Sequence, residues 1–293
     1  MANTTNTNVT NAGDLAGLLV SARQDAIFAG YESSLYLPGV IMNVHNVPNG
    51  SVVAQIPKFA AVATSAVSTE GHDETSATIE ELEVTNVANA AVNVTAKTYA
   101  ARALLKDLGG LDAGSVGTVL GRAVSEKFDD DVAALFSGEL ASGTITQEAG
   151  ATTTGLTINT LATAAQTVRG QRFAGQLNCV LHPAQIEDIL QDLATSSFAG
   201  SDALNEALRQ GMVGSLFGMN IWQSASVGKD NSDADYAGCV WAENAFGIAM
   251  FKGLDVMSQS NITGLGTDIV ASLHATPAIV DIKRACRIIS SAA

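Results

Sequence analysis

The stretch 112–136, DAGSVGTVLGRAVSEKFDDDVAALF, reads by its spacing as one uninterrupted amphipathic helix, and the rest of the chain is organised around it. Val116, Leu120, Val124, Phe128, Val132 and Phe136 recur every four residues, and Val119 and Leu135 widen the apolar stripe. Asp112 is the candidate cap. At 1.5 Å per residue such a helix is a rod of roughly 37 Å. Gly117 and Gly121 lie on one face and each cost about 1 kcal/mol against Ala. Close approach of another backbone would explain them; a bendable helix is the alternative. The carboxylates of Asp129, Asp130 and Asp131 fan around the rod, which reads as a solvated or partner-facing acidic surface rather than a metal cluster.

Upstream, residues 50–99 have two Thr- and Val-rich arms and no helical pattern. Loops beyond ~12–15 residues are uncommon as plain connectors, so this stretch predicts a protruding hairpin that reaches outside its own subunit. In the outgoing arm Val52, Ala54 and Ile56 share a face, and Pro57 marks an edge strand. The tip, 69–75, is turn-rich and acidic, with Glu70, Asp73 and Glu74. In the returning arm Leu82 and Val84 face one way, and Val92, Val94 and Ala96 then alternate with polar residues as a half-buried strand. An arm of about ten residues reaches roughly 33 Å.

The N-terminal stretch 1–13 is rich in Asn and Thr and buries too little apolar surface to order alone. Asp14 caps a short helix carrying Leu15, Leu18, Leu19, Ala22 and Ala26, expected to fade by Gly30. After the long helix, 138–155 reads as a small-residue linker. Helices and strands then alternate from 156 to 262: a helix over 161–168, a buried strand over 177–181, a helix begun by Pro183, another over 202–210, and strand cores at 220–223 and 239–241. The tail returns to strands, with Ile269, Ala271 and Leu273 on one face and Ala278, Val280 and Ile282 after Pro277.

Composition narrows the function classes. The chain has 293 residues, 47% of them hydrophobic, so sizeable cores are expected. Only 15% are charged, which suits a protein that hides surface against copies of itself. A net charge of −14 with scattered Lys and Arg argues against gripping nucleic acid, though not against enclosing it. Cys179, Cys239 and Cys286 stand in apolar, strand-like surroundings and read as small buried hydrophobes of a reducing compartment. The N-terminus lacks the pattern of a secretory signal, and the apolar run 15–20 is too short to span a bilayer, so no membrane partner is expected.

Chemistry is mostly absent. Ala113-Gly114-Ser115-Val116-Gly117 nearly matches a nucleophile elbow, but an elbow needs a strand leading into the serine, and Ser115 belongs to the first turn of a helix. His45, His72, His182 and His274 are isolated from one another, and His182 before Pro183 reads as a helix-start residue. Trp222 and Trp241 sit in short apolar strands and read as core. No cofactor, metal or catalytic residue is expected. Glu70, Asp73 and Glu74 repel one another unless cations meet them. The candidate cations for an intersubunit contact are Arg122 and Lys127 on the long helix, or Lys283, Arg284 and Arg287 near the closing strands.

Taken in order, these segments resemble the major capsid proteins of tailed bacteriophages, the Hong Kong 97-type fold, an α+β architecture. Residues 1–30 look like the N-arm, 50–85 like the extended β-hairpin loop, and 112–136 like the spine helix of a peripheral domain spanning 31–49 and 86–155. Residues 156–262 are similar to the α/β axial domain, with Cys179-Val180-Leu181-His182-Pro183 entering a helix as in that domain, and 263–293 look like strands returning to the peripheral domain. The resemblance implies an icosahedral virion shell of hexamers and pentamers, assembled in a bacterial cytoplasm and packed with double-stranded DNA that is enclosed without specific binding. It also implies a portal and room for a decoration protein. The N-arm begins at Met1, so a separate scaffolding protein is expected. With no lysine between Lys58 and Lys97, covalent cross-linking through the loop is not carried over. The other readings are an encapsulin-like cargo shell and, in a different class, a serine hydrolase using Ser115.

Overall fold

The computed structural model describes residues 24, 26–31, 33–48, 50–59, 89–106, 113–137, 145–151, 153–171, 173, 175–195, 215–228, 235–261, 263 and 266–291. In chain order the strands are β1 (Asn43–Asn46), β2 (Val53–Phe59), β3 (Asn89–Thr95), β4 (Thr98–Lys106), β5 (Glu148–Ala151), β6 (Leu177–Leu181), β7 (Ser215–Leu216), β8 (Met219–Gln223), β9 (Asp235–Ala242), β10 (Phe246–Asn261), β11 (Gly266–Ile279) and β12 (Ala285–Ser291). Among the described residues the long helices are α1 (Ala113–Ser137), α2 (Ile158–Gly170) and α3 (Pro183–Thr195). The chain is α+β, as its segment pattern predicts.

Two sheets carry the fold. A four-stranded sheet has the order β1-β10-β11-β4, parallel at β1–β10 and antiparallel elsewhere. A six-stranded sheet has the order β5-β12-β9-β6-β8-β7. Strand alternation sets the layers of the first sheet. Ile248, Met250, Ile269, Ala271, Leu273 and Ala275 point to one face, where they share a core with Leu120, Val124, Phe128 and Val132 of α1. Ala249 and Ala278 point the other way and pack with Ala54, Ile56 and Val94 of the β2–β3 pair. The sheet is therefore covered by the long helix on one side and by the hairpin root on the other. The six-stranded sheet packs Leu177, Cys179, Leu181, Val240, Cys286 and Ile288 against Leu161, Ala164, Ala165 and Val168 of α2. Thr157 caps α2, its side chain accepting from Thr160 N.

The apolar stripe of the long helix holds along its length, except at Val119, which is 65% exposed. Pro57 stands in β2, whose only strand partner among the described residues is β3. Val52 precedes the strand and is exposed; the buried face of that arm is Ala54 and Ile56. The short N-terminal helix does not fade at Gly30: residues 26–31 and 33 are helical, and Ser34 N donates to Gly30 O at 3.2 Å. Its Asp14 cap lies outside the described residues, as do Asp112 and the helix expected over 202–210.

Three expectations fail on sheet membership. β10, expected to belong to the 156–262 unit, lies in the four-stranded sheet between β1 and β11. The 138–155 linker contains β5, which adds parallel to β12 with Arg287↔Glu148 and Ile289↔Gly150 in register. Its sequence, EAGA, has none of the β-branched residues by which a strand is read. Gly150, at φ 101, runs so close to Ile289 that a Cβ would overlap that residue's carbonyl oxygen. The closing strand β12 does not return beside β11; it enters the six-stranded sheet between β5 and β9. The turn at 280–284 redirects it: Asp281 caps a 3-10 turn, Ile282–Arg284, and so Ile282 lies outside any strand. Pro277 is accommodated in β11 because β4 pairs only as far as His274, leaving one side of β11 without a ladder there.

Candidate functional site: the hairpin root and the long helix

The hairpin joins the body through small residues that permit close packing, Ala54, Ala249 and Ala278, around the buried Ile56. Backbone bonds then fix the angle of departure. Lys97 N donates to Thr276 Oγ1 at 2.9 Å, that hydroxyl donates to Thr95 O at 2.8 Å, and Ala275 N donates to Lys97 O at 3.1 Å. On the helix side a single carboxylate collects the donors. Asp131 of α1 accepts from Tyr99 Oη at 2.8 Å, pairs with Lys127 at 3.2 Å, and pairs with Lys97 at the end of the returning arm. Burial would raise the Asp131 carboxyl, but these donors outweigh it and hold the group below the usual carboxylate range.

Asp129 has a different environment. It is 4% exposed, accepts from Ser34 Oγ at 2.6 Å and from Leu35 N at 2.8 Å, and so ties the chain after the first helix to the middle of α1. The run 129–131 is thus not a solvated surface. Asp129 and Asp131 are buried on hydrogen-bond partners, and only Asp130 is exposed. Burial pushes the Asp129 carboxyl up to about 6, aided by repulsion from Asp130 and Glu126 and opposed by the Ser34 and Leu35 bonds.

A folded-state value above the unfolded one means that the protonated form is favoured by folding. The associated stability is fully present below the unfolded value of 3.8 and is lost as pH rises through about 6. Asp129→Asn removes this titration but sets its amide NH2 against one of the two donors, so its stability relative to wild type should rise between pH 4 and pH 7 by up to about 3 kcal/mol. Urea denaturation of both proteins between pH 4 and 8 checks this; a difference independent of pH would refute it.

Of the candidate cations, three are engaged within their own chain. Lys127 pairs with Asp131, Arg284 Nε lies 3.2 Å from Asp281, and Arg287 Nη2 lies 2.8 Å from Glu148, joining β12 to β5. Arg122 and Lys283 are exposed and form no ion pair with an acid among the described residues. Lys58, at the hairpin root, has no signal in its sequence context; it reaches Asp281 at 3.4 Å beside a cavity of about 240 Å³ lined also by His45, Pro57 and Asn244. Glu70, Asp73 and Glu74 lie outside the described residues.

His72 lies outside the described residues; of the other chemistry-bearing residues several have structural roles. β4 ends at Lys106, and Ser115 is already helical, in the first turn of α1. His182 accepts from Ala184 N at 3.2 Å through Nδ1 and stacks on Tyr236 at 3.9 Å, as a helix-start residue. Trp241 is buried, and Trp222 packs against the same core in part. The three cysteines are free and buried; burial raises the Cys179 and Cys239 thiols and pushes Cys286 up to about 11, so none is a reactive thiolate. Among the described residues no three His, Cys, Asp or Glu side chains are grouped to hold a metal ion. Within them no helix is long and apolar enough to cross a membrane.

No model of a known protein family matches the chain, and no curated protein sequence matches it. Solved structures do. The capsid of Ralstonia phage GP4 is 14% identical with a TM-score of 0.62, the match covering 86% of each chain. The capsid of cyanophage P-SCSP1u is 16% identical with a TM-score of 0.60, over 85% of this chain and 86% of that one. A virus-like particle from Pyrococcus furiosus is 11% identical with a TM-score of 0.59, over 92% of this chain and 98% of that one. At these identities the likeness is one of fold: the chain has the Hong Kong 97-type fold of phage capsid proteins.

Proposed function

We propose that this chain is a major capsid protein of a tailed bacteriophage, a structural subunit that assembles into the hexamers and pentamers of an icosahedral head around double-stranded DNA. The observation that carries the reading is extent. The likeness to phage capsid chains runs over 81–86% of this chain in four phage structures, too much of it to be one shared unit. In this reading α1 and the four-stranded sheet form the peripheral domain, and the six-stranded sheet with α2 and α3 forms the axial domain. Residues 1–30 serve as the N-arm and 50–85 as the extended loop. No catalytic role is assigned, and Ser115 is structural. Assembly takes place in the bacterial host cytoplasm with a separate scaffolding protein and a portal, and a decoration protein can be accommodated.

Expression alone or with the scaffold should give closed shells, sheets or capsomers visible by electron microscopy; a stable 30.0 kDa monomer under assembly conditions would defeat the reading. With a net charge of −14, the unassembled protein should bind duplex DNA weakly and without sequence preference. A second reading, an encapsulin-like cargo shell, is favoured by the extent of the match to the Pyrococcus furiosus particle. Purified shells containing protein cargo and no DNA after co-expression with the phage packaging genes would select it.

The acidic tip then meets a neighbouring subunit. Among the described residues Arg122 and Lys283 are the candidate cations without an intrachain ion pair, and we assign the contact to them. Each exposed pair contributes only about 0–1 kcal/mol, but a shell repeats it at every subunit. Reversing Glu70, Asp73 and Glu74 to Lys should spare folding and weaken assembly, most at low salt. Reversal of Arg122 and Lys283 as well should restore part of it. Normal assembly by the triple variant across salt concentrations would leave the tip merely solvated.

A further inference from the structure

Two non-glycine residues among those described have positive φ, Asn244 at 65° and Phe217 at 51°. Asn tolerates the left-handed region, and Asn244 sits in the tight link from β9 to β10. Phe217 has no such excuse. It and Gly218, at φ 69, are the central pair of the two-residue turn between β7 and β8, with Leu216↔Met219 in register. A hairpin turn with both central residues left-handed is normally Asn-Gly or Asp-Gly. A bulky ring in the first of these positions is a genuine outlier.

Nor does the ring complete a core: Phe217 is 43% exposed. In the isolated chain, then, phenylalanine here gives neither an easy backbone nor full burial. The turn is nonetheless held firmly. Arg169, in the last turn of α2, donates from Nη2 to Phe217 O at 2.7 Å and to Gly218 O at 3.5 Å. The tip also lies at a margin, since among the described residues β7 is the terminal strand of the six-stranded sheet.

We infer that Phe217 is an interface knob by which one copy of this chain docks on another. The inference rests on the shell reading above, in which copies meet edge to edge. An aromatic fixed in advance on a rigid turn is the kind of group that anchors an interface, because little freedom is lost when it is buried. Backbone strain retained at an exposed site points to selection by something outside the chain. A second copy is the occupant that shell assembly supplies at every such margin.

The test compares wild type with Phe217→Asn, Phe217→Gly and Phe217→Tyr as full chains. Asn and Gly relieve the turn, so their unassembled subunits should melt about 2–4 °C higher than wild type. The same two should need at least about tenfold more protein to assemble, while Tyr, which keeps the ring, should assemble nearly as wild type does. Amide exchange at 215–219 should slow when wild-type subunits enter particles. Equal assembly by wild type and the Asn and Gly variants, or unchanged exchange at 215–219, overturns the knob and leaves the shell reading standing. A lower melting temperature together with weaker assembly would make Phe217 a folding residue and also overturn it. Wild type that forms no particle at all removes both readings.

Discussion

Phe136→Ala is expected to lower the unfolding free energy of the subunit by about 3–5 kcal/mol. The ring lies at the end of α1 and touches three other parts of the chain. It stacks on Trp241 of β9 at 5.3 Å, meets Phe246 of β10 edge-on at 5.5 Å, and meets Tyr36, ahead of β1, at 6.3 Å. All four side chains are buried. Truncation removes the aromatic contacts and leaves a cavity whose walls are rings from different strands and cannot close on it easily. Since domains retain only about 5–15 kcal/mol of net stability, the variant should be soluble only in part. Its urea midpoint should fall without a change in slope if the two sheets still unfold together. A loss under about 1 kcal/mol would mean that this junction is not a shared core.

Gly121→Ala carries the second large effect, with a sign opposite to that of helix propensity. In an isolated helix Ala would gain about 1 kcal/mol over Gly. Here a Cβ on Gly121 would overlap the carbonyl oxygen of Ala26 and come within 3.0 Å of its Cα. Gly30 faces back across the same crossing, where a Cβ would lie 2.9 Å from Ser125 Oγ and 3.3 Å from Gly121 O. The two helices meet through glycines on both sides. Relief requires moving the whole 26–33 segment, so a net destabilisation of about 1–3 kcal/mol is expected. Faster amide exchange in that segment should accompany it. A more stable variant would show that the helices do not touch at this point.

That crossing also shows what the sequence carries. The stripe of the long helix is legible because six apolar residues repeat at one spacing, and the glycine at 121 is legible as a place where a backbone comes close. Which backbone comes close is not, since Ala26 and Gly30 mark a helix and its expected end but say nothing of what that helix crosses. Strand β6 is legible from an apolar run between turn signals, while β5 is hidden because EAGA has neither alternation nor branched side chains. The fate of β12 depends on a 3-10 turn that Asp281 caps, and nothing in 285–291 says which sheet it joins. Asp129 and Asp131 mislead for a related reason. Three adjacent acids look solvated in one dimension, and only the tertiary approach of Ser34, Leu35, Lys97 and Tyr99 makes two of them interior groups.

The chain passes between its two sheets three times, through α1 from β4 to β5, at β9–β10 and after β11, and the last two passages are laced together: Ala245 O accepts from both Val280 N, at 2.8 Å, and Asp281 N, at 3.1 Å. A single tether would let the two halves swivel freely, like beads on a string. Two strands bound side by side act instead as a strap hinge, which resists twist and passes torque from one half to the other. With the core around Phe136 also packed between both sheets, a load on one half is passed to the other as a tilt.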